Sequence, residues 1–225
     1  KRLVGTTYEF RKKTVTGTEN AIMAAVCADG VTTLKNVAQE PEVVDLCDFL
    51  RSCGAKIKGD GTSTICIEGI EKLNSCEFTI QPDRIEAGTF LIAGTMTRGD
   101  ITIHDCEPTH IEAVLNLLRQ AGANIKVSGQ SVSLSMQGDI KPVSVITDVY
   151  PGVSTDFQAQ LIAMNAVANG SSEVKETIFE DRFKHVNELV RMGADIVVKK
   201  NKAVIKGVDN LVGCQVHATD LRASA

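Results

Sequence analysis

Asp156 lies in "GVSTDFQAQLIAMNAVANG", Gly152 to Gly170, as an acid at the mouth of an otherwise apolar helix. Two chemistries are open to it. A carboxylate in a first helical turn complements the helix dipole, and Thr155 with Gln158 three residues on reads as a capping box. A carboxylate within reach of a substrate hydroxyl is instead a general base. On residue types alone capping is the stronger reading, because Ser, Thr and Asp mark helix starts. Arg182, in "FEDRFKHV", is the second residue of interest, since a buried guanidinium is costly unless something pairs with it. The sequence holds no glycine-rich phosphate loop of the Walker or dinucleotide type, and neither G-x-S-x-G nor H-E-x-x-H.

The elements that must position these side chains repeat along the chain. Gly-Ala occurs at Gly54, Gly122 and Gly193, spaced by 68 and then 71 residues, and a second glycine (Gly30, Gly99, Gly170) precedes each by 24, 23 and 23. Regular spacing of this kind marks an internal repeat. Each unit reads as an apolar helix ("ENAIMAAVCADG", "EAGTFLIAGTMTRG", "DFQAQLIAMNAVANG") and a short strand ("VTTLKNV", "DITIHDC", "SSEVKET"). A second helix and two alternating strands follow, as in "AKIKGDGTSTICIEG". The second helix carries apolar rows four and seven residues before Gly-Ala: Leu50, Leu118 and Leu189, then Cys47, Leu115 and Val186. Eleven residues before it stand Val43, Ile111 and Arg182, so the third unit departs from the others. The alternative is a slipped register, with Arg182 simply facing water.

Composition bounds the function. With 225 residues, 43% of them hydrophobic, the chain can bury one large core or two small ones. A balance of 24 basic against 28 acidic residues, two Tyr and no Trp offers neither a basic groove nor stacking aromatics, which argues against nucleic acid as a partner. No apolar run reaches membrane length, so no membrane partner is expected. The seven cysteines are scattered without C-x-x-C pairs and the four histidines are not at ligand spacing to them. That pattern argues against a disulfide framework and a zinc site, and a reducing cytoplasm is the expected location. "GCQVHATDLRASA" begins like a further unit and stops, so the chain is expected to be cut from a longer one.

The stretches "KKTVTGTEN", "AQEPEVVDLCDFLRSCGAKIKGDGT", "QPDRIEAGTFLIAG", "STDFQAQ", "ETIFEDRFKHVNELVRMGA" and "ATDLRASA" resemble, in order along the chain, the UDP-N-acetylglucosamine enolpyruvyl transferase family of early bacterial peptidoglycan synthesis. The resemblance implies an α/β fold of two similar domains, each an inside-out α/β barrel of three repeats of the kind counted above, with helices inside and sheets outside. Residues 1–80 would be the last repeat of one domain, and 81–225 two repeats plus the start of a third of the other. It implies two substrates, UDP-N-acetylglucosamine and phosphoenolpyruvate, and no cofactor or metal.

By the same resemblance Asp156 is the base, or at least the acceptor, for the sugar 3-hydroxyl. Lys13, Thr14, Val15 and Thr16 match the stretch that holds the nucleotide diphosphate, with backbone amides near Gly17 able to approach phosphate oxygens; on residues alone "KKTV" reads as a solvated strand edge. Ile178 matches a residue whose backbone contacts the sugar, and Phe179 beside it either packs or touches substrate. Arg182 and Arg222 match arginines bordering the phosphoenolpyruvate side, where a guanidinium can hold a carboxylate or phosphate by two parallel bonds; either can instead clamp Asp181 or Asp220. The family's N-terminal Lys-Asn pair, its mobile loop with a proton-donating Cys and a late Arg have no counterpart here, so the chain is expected to need missing segments of the same enzyme for turnover. The rival readings are the sister enzyme acting on shikimate 3-phosphate and a noncatalytic nucleotide-sugar-binding module.

Overall fold

Alternation sets the strands and glycine sets the helix ends over residues 2–218, which the computed structural model describes. The chain divides into two units, Lys1–Gln81 and Pro82–Ala225. The first runs β1 (Thr7–Glu9), α1 (Val15–Val26), β2 (Val31–Lys35), α2 (Pro41–Ser52), β3 (Lys56–Lys58) and β4 (Thr64–Glu68). The second begins with α3 (Arg84–Met96), β5 (Asp100–Ile103), a 3-10 turn at Pro108–Ile111, α4 (Glu112–Ala121), β6 (Asn124–Ser128) and β7 (Ser131–Ser135). It continues with β8 (Val145–Ile146), a 3-10 turn at Thr155–Phe157, α5 (Gln158–Ala166), β9 (Ser171–Lys175), α6 (Lys184–Arg191), β10 (Asp195–Lys199) and β11 (Lys202–Lys206).

The repeat is visible in the sheets. Their orders are β1-β2-β4-β3, β5-β7-β6 and β10-β11-β9-β8, so in each unit the strand after the first helix pairs with the last strand, which returns antiparallel to the middle one. β1 and β8 add to the edge as parallel partners of β2 and β9.

Why Gly-Ala recurs follows from the helix ends. Gly54, Gly122 and Gly193 take φ of +96°, +108° and +93°, a conformation that costs a residue with a Cβ energy. The alanine after each then donates its N–H back to the carbonyl of Leu50, Leu118 or Leu189, at 2.9, 3.0 and 3.0 Å. This is the six-to-one bond of a Schellman ending. The leucine row therefore carries both the core stripe and the bond that stops the helix.

Each unit has its own core. The first is built on Ile22, Val26, Leu34, Val43, Cys47, Leu50, Ile65 and Ile67. In the second, α3 packs against α5 over Leu91, Ile92, Leu161 and Ile162, with Leu115, Leu118, Leu134 and Ile205 around them. Fully burying each such side chain stabilises the fold by about 1.5–3 kcal/mol. The fold is mixed α/β with sheets that show one face to solvent, as the alternation of β4 and β9 requires.

Three expectations are corrected. α1 starts at Val15, four residues before Glu19, because Thr14 rather than a later residue caps it. The aspartate-bearing segment is a separate 3-10 turn ahead of α5, not the first turn of that helix. Arg182 is not on a helical stripe, since α6 begins only at Lys184.

Candidate functional site

The turn that carries Asp156 is set by its neighbours. Ser154 caps it, its Oγ accepting the Asp156 N–H at 3.2 Å. Phe157, 1% exposed, anchors the turn in the core against Gly88 of α3, where a Cβ would overlap the ring. The anticipated capping box is absent: Thr155 donates its hydroxyl to Glu176 Oε2 at 2.8 Å, and the buried Gln158 donates Nε2 to the carbonyl of Arg182 at 3.3 Å. Thr155 Oγ1 is instead turned toward Glu176 and Arg182, and Ser154, one residue earlier, supplies the cap.

Arg182 comes to Asp156 from the loop between β9 and α6. Its Nη1 lies 3.3 Å from Asp156 Oδ1 and 3.5 Å from Thr155 Oγ1, and its guanidinium sits 4.5 Å from the centre of the Phe179 ring. The side chains of Arg182 and Asp156 are 19% and 29% exposed, so the pair is reachable from solvent yet partly shielded. A guanidinium carries five donors, and these contacts engage one end of it. The outer edge of the pair suits an anionic or hydroxylated ligand. Ring stacking on the half-exposed Phe179 keeps the planar group oriented.

Glu176 holds this arrangement together. It is 1% exposed, and its Oε1 accepts the Thr147 hydroxyl at 2.9 Å and the backbone N–H groups of Ile178 at 2.8 Å and Phe179 at 3.2 Å. Its other oxygen takes the Thr155 hydroxyl, and its backbone exchanges bonds with Asn201. One carboxylate thus ties the residue before Asp156 to the loop that carries Ile178, Phe179 and Arg182. Because both amides are spent on Glu176, the backbone group that Ile178 can offer a ligand is its carbonyl. The sequence carried a signal for Glu176: Ser172, Val174 and Glu176 fall on alternate positions, and an acid on the buried face of a strand needs partners.

The other candidate residues lie in the first unit. Thr14 is the N-cap of α1, its Oγ1 accepting the Gly17 N–H at 3.2 Å while its carbonyl takes Thr18 N–H at 3.0 Å. The solvated-strand reading of "KKTV" gives way to a helix start. Val15 and Thr16 contribute the first two amides of that helix, which have no intrahelical acceptor. Thr18 is fully buried and its hydroxyl accepts Ala38 N–H at 3.1 Å, which fixes the turn. Arg11, Lys12 and Lys13 precede it and no acid stands in its first turn, so partial and full positive charges gather there. Arg222 lies outside the described residues, as does Asp220. No described helix is long and apolar enough to cross a membrane.

Comparison with known proteins adds to this geometry. The profile of the family described as EPSP synthase (3-phosphoshikimate 1-carboxyvinyltransferase) matches residues 1–225. The chain is 53% identical over its full 225 residues to a protein of Hydrogenovibrio crunogenus named UDP-N-acetylglucosamine 1-carboxyvinyltransferase, of which it covers 54%. A protein of the same name from Coxiella burnetii is 52% identical, again over the whole chain and 52% of the relative. Among solved structures, the enolpyruvyl transferase NikO from Streptomyces tendae matches with a TM-score of 0.84 at 26% identity, over 100% of this chain and 56% of that one. The chain spans about half the length of the curated relatives it matches.

Proposed function

Because the chain belongs to the EPSP synthase (3-phosphoshikimate 1-carboxyvinyltransferase) family, we propose that it supplies one part of an enzyme transferring the enolpyruvyl group of phosphoenolpyruvate to the 3-hydroxyl of UDP-N-acetylglucosamine, a cell-wall precursor step. The observation that carries this reading is the meeting of Asp156, Arg182 and the Ile178–Phe179 loop around Glu176. The name shared by the relatives at 53% and 52% identity supports the amino sugar over shikimate 3-phosphate.

In this reading the hydroxyl attacks C2 of phosphoenolpyruvate, Asp156 accepts its proton, and C3 is protonated by the Cys loop of a segment beyond this chain. Loss of a proton from C3 together with departure of phosphate from the tetrahedral intermediate then restores the C2–C3 double bond of the enolpyruvyl ether. Arg182 keeps the Asp156 carboxylate turned toward the hydroxyl and presents its remaining donors to the carboxylate or phosphate of the second substrate. Orientation of this kind, with reacting atoms held close, is a large share of what such a site contributes. The carbonyl of Ile178 accepts from the sugar, and Phe179 shields one side. Lys13 to Gly17 hold the nucleotide diphosphate through lysine charge and helix-start amides. Arg222 borders the phosphoenolpyruvate side. The two units belong, in this account, to two inside-out domains, residues 1–80 closing one and 81–225 forming two repeats and the start of a third in the other. The enzyme works without cofactor or metal in the cytoplasm.

The test is a chimera in which this chain replaces the matching segment of the Hydrogenovibrio crunogenus relative. Phosphate release from phosphoenolpyruvate should depend on UDP-N-acetylglucosamine and not on shikimate 3-phosphate. A folded chimera that releases none, beside an active parent, would overturn the assignment; use of shikimate 3-phosphate would favour the sister reaction.

A further inference from the structure

The segment after β4 has no regular structure, yet it is fastened to α2 at several points. Asn74 donates its N–H to the carbonyl of Cys53 at 2.8 Å, and Gln81 N–H reaches Asp45 Oδ1 at 3.3 Å. Between them the Phe78 ring meets Phe49 edge to face, centres 5.5 Å apart. Cys76 lies in the middle of this run, and its Sγ is 3.2 Å from the Sγ of Cys53, the residue that ends α2. Cys53 is buried and Cys76 half exposed. The backbone and ring contacts on both sides of Cys76 hold the sulfurs together in the reduced protein, so a bond of about 2.05 Å requires a shift of roughly an ångström and no rearrangement of α2.

We infer that Cys53 and Cys76 form a dithiol modification site whose reactant is a low-molecular-weight disulfide, and that its oxidised form clamps residues 70–81 onto α2. Cys76, the half-exposed partner, reacts first: its thiolate attacks one sulfur of the small disulfide, forming a mixed disulfide and releasing one small thiolate. The Cys53 thiolate then attacks the Cys76 sulfur, forming the Cys53–Cys76 bond and releasing the second small thiolate. Two protein thiols lose two protons and two electrons, and the small disulfide is reduced to two thiols. The order also fits the Cys53 thiol, which its hydrogen bond with Cys76 and then burial push above the usual range. It serves as the resolving group, poised beside the sulfur it attacks. None of the residues assigned to catalysis takes part in this chemistry, so the inference does not depend on the proposed reaction.

The experiment incubates the chain with oxidised glutathione, blocks residual thiols and maps the peptides, with amide exchange followed on the same sample. Expected is a dithiothreitol-reversible Cys53–Cys76 link, at least fivefold slower exchange across residues 74–81, and glutathione carried by the exposed Cys66 and Cys214. Cys53→Ser should leave Cys76 arrested as its glutathione adduct, while Cys76→Ser should leave Cys53 a thiol. The inference is overturned if Cys76 keeps its adduct with Cys53 present, if it links to another cysteine, or if both stay reduced while Cys66 has reacted. A link that forms without slowing exchange would remove the clamping role.

Discussion

Glu176→Ala deletes a buried acceptor of four hydrogen bonds, two from threonine hydroxyls and two from backbone amides. A bond to a charged group contributes about 1.5–3 kcal/mol, and water entering the vacated space recovers part of that. The net loss should be roughly 4 kcal/mol, at the upper end of what single substitutions cost. Glu176→Gln keeps an oxygen for Thr147, Ile178 and Phe179 and turns an amide toward Thr155, whose hydroxyl can rotate to accept it. That variant should lose only about 1–2 kcal/mol, chiefly the charge assistance. The assay is amide hydrogen exchange, because the two amides are themselves donors to the deleted group. Ile178 and Phe179 should exchange about ten- to a hundredfold faster in the alanine variant, as the strength of a charged bond dictates. Unchanged exchange at both, or an alanine variant within about 1 kcal/mol of the parent in urea unfolding, would refute the claim that this carboxylate organises the site.

Three further outcomes follow from local chemistry. Gly88→Ala drives a methyl into the Phe157 ring beneath the Asp156 turn, and should lower stability by about 1–3 kcal/mol, read from the urea midpoint of the second unit. In the first unit, Arg51 bonds both oxygens of Asp60, at 2.7 and 2.9 Å, and that contact holds the Asp60 carboxyl below its usual value. The stabilisation is therefore present above the ordinary carboxylate range and is lost as pH falls through the lowered value. The stability gap between parent and Asp60→Asn should accordingly be full at about pH 6 and close on acidification, as paired urea titrations would report. Burial, then the nearby Asp60 charge, push the Cys47 thiol up to about 12. Iodoacetamide at mildly alkaline pH should spare it while labelling the exposed Cys66 and Cys214, as peptide mapping would show.

What the sequence disclosed and what it hid have physical reasons. The repeat was legible because a Schellman ending favours glycine at one position while core packing places a leucine four residues earlier, a pattern local enough to read. Strands such as β4 and β9 were legible through alternation alone. Thr155 was misread as a cap because its actual partner, Glu176, is 21 residues away and no local rule points to it. Arg182 was misplaced on a helix by extrapolating the spacing of two repeats into a third, whose segment before α6 is a loop shaped by Glu176 and Phe179. Cys53 and Cys76 were read as scattered thiols because 23 residues and two strands separate them. For Thr155 and for the cysteine pair the information lay in contacts across more than twenty residues, whereas the loop before α6 is shaped by contacts three residues apart that helical periodicity does not describe.

The most direct test of the central claim is the rate of the chimeric enzyme carrying Asp156→Asn, measured at saturating UDP-N-acetylglucosamine and phosphoenolpyruvate. The amide keeps the size and the contact with Arg182 but accepts a proton poorly, so kcat should fall about a hundred- to ten-thousandfold while KM for the nucleotide sugar changes little. A variant that turns over at the parental rate would contradict the role given to Asp156 and reduce it to an acid that lines a turn.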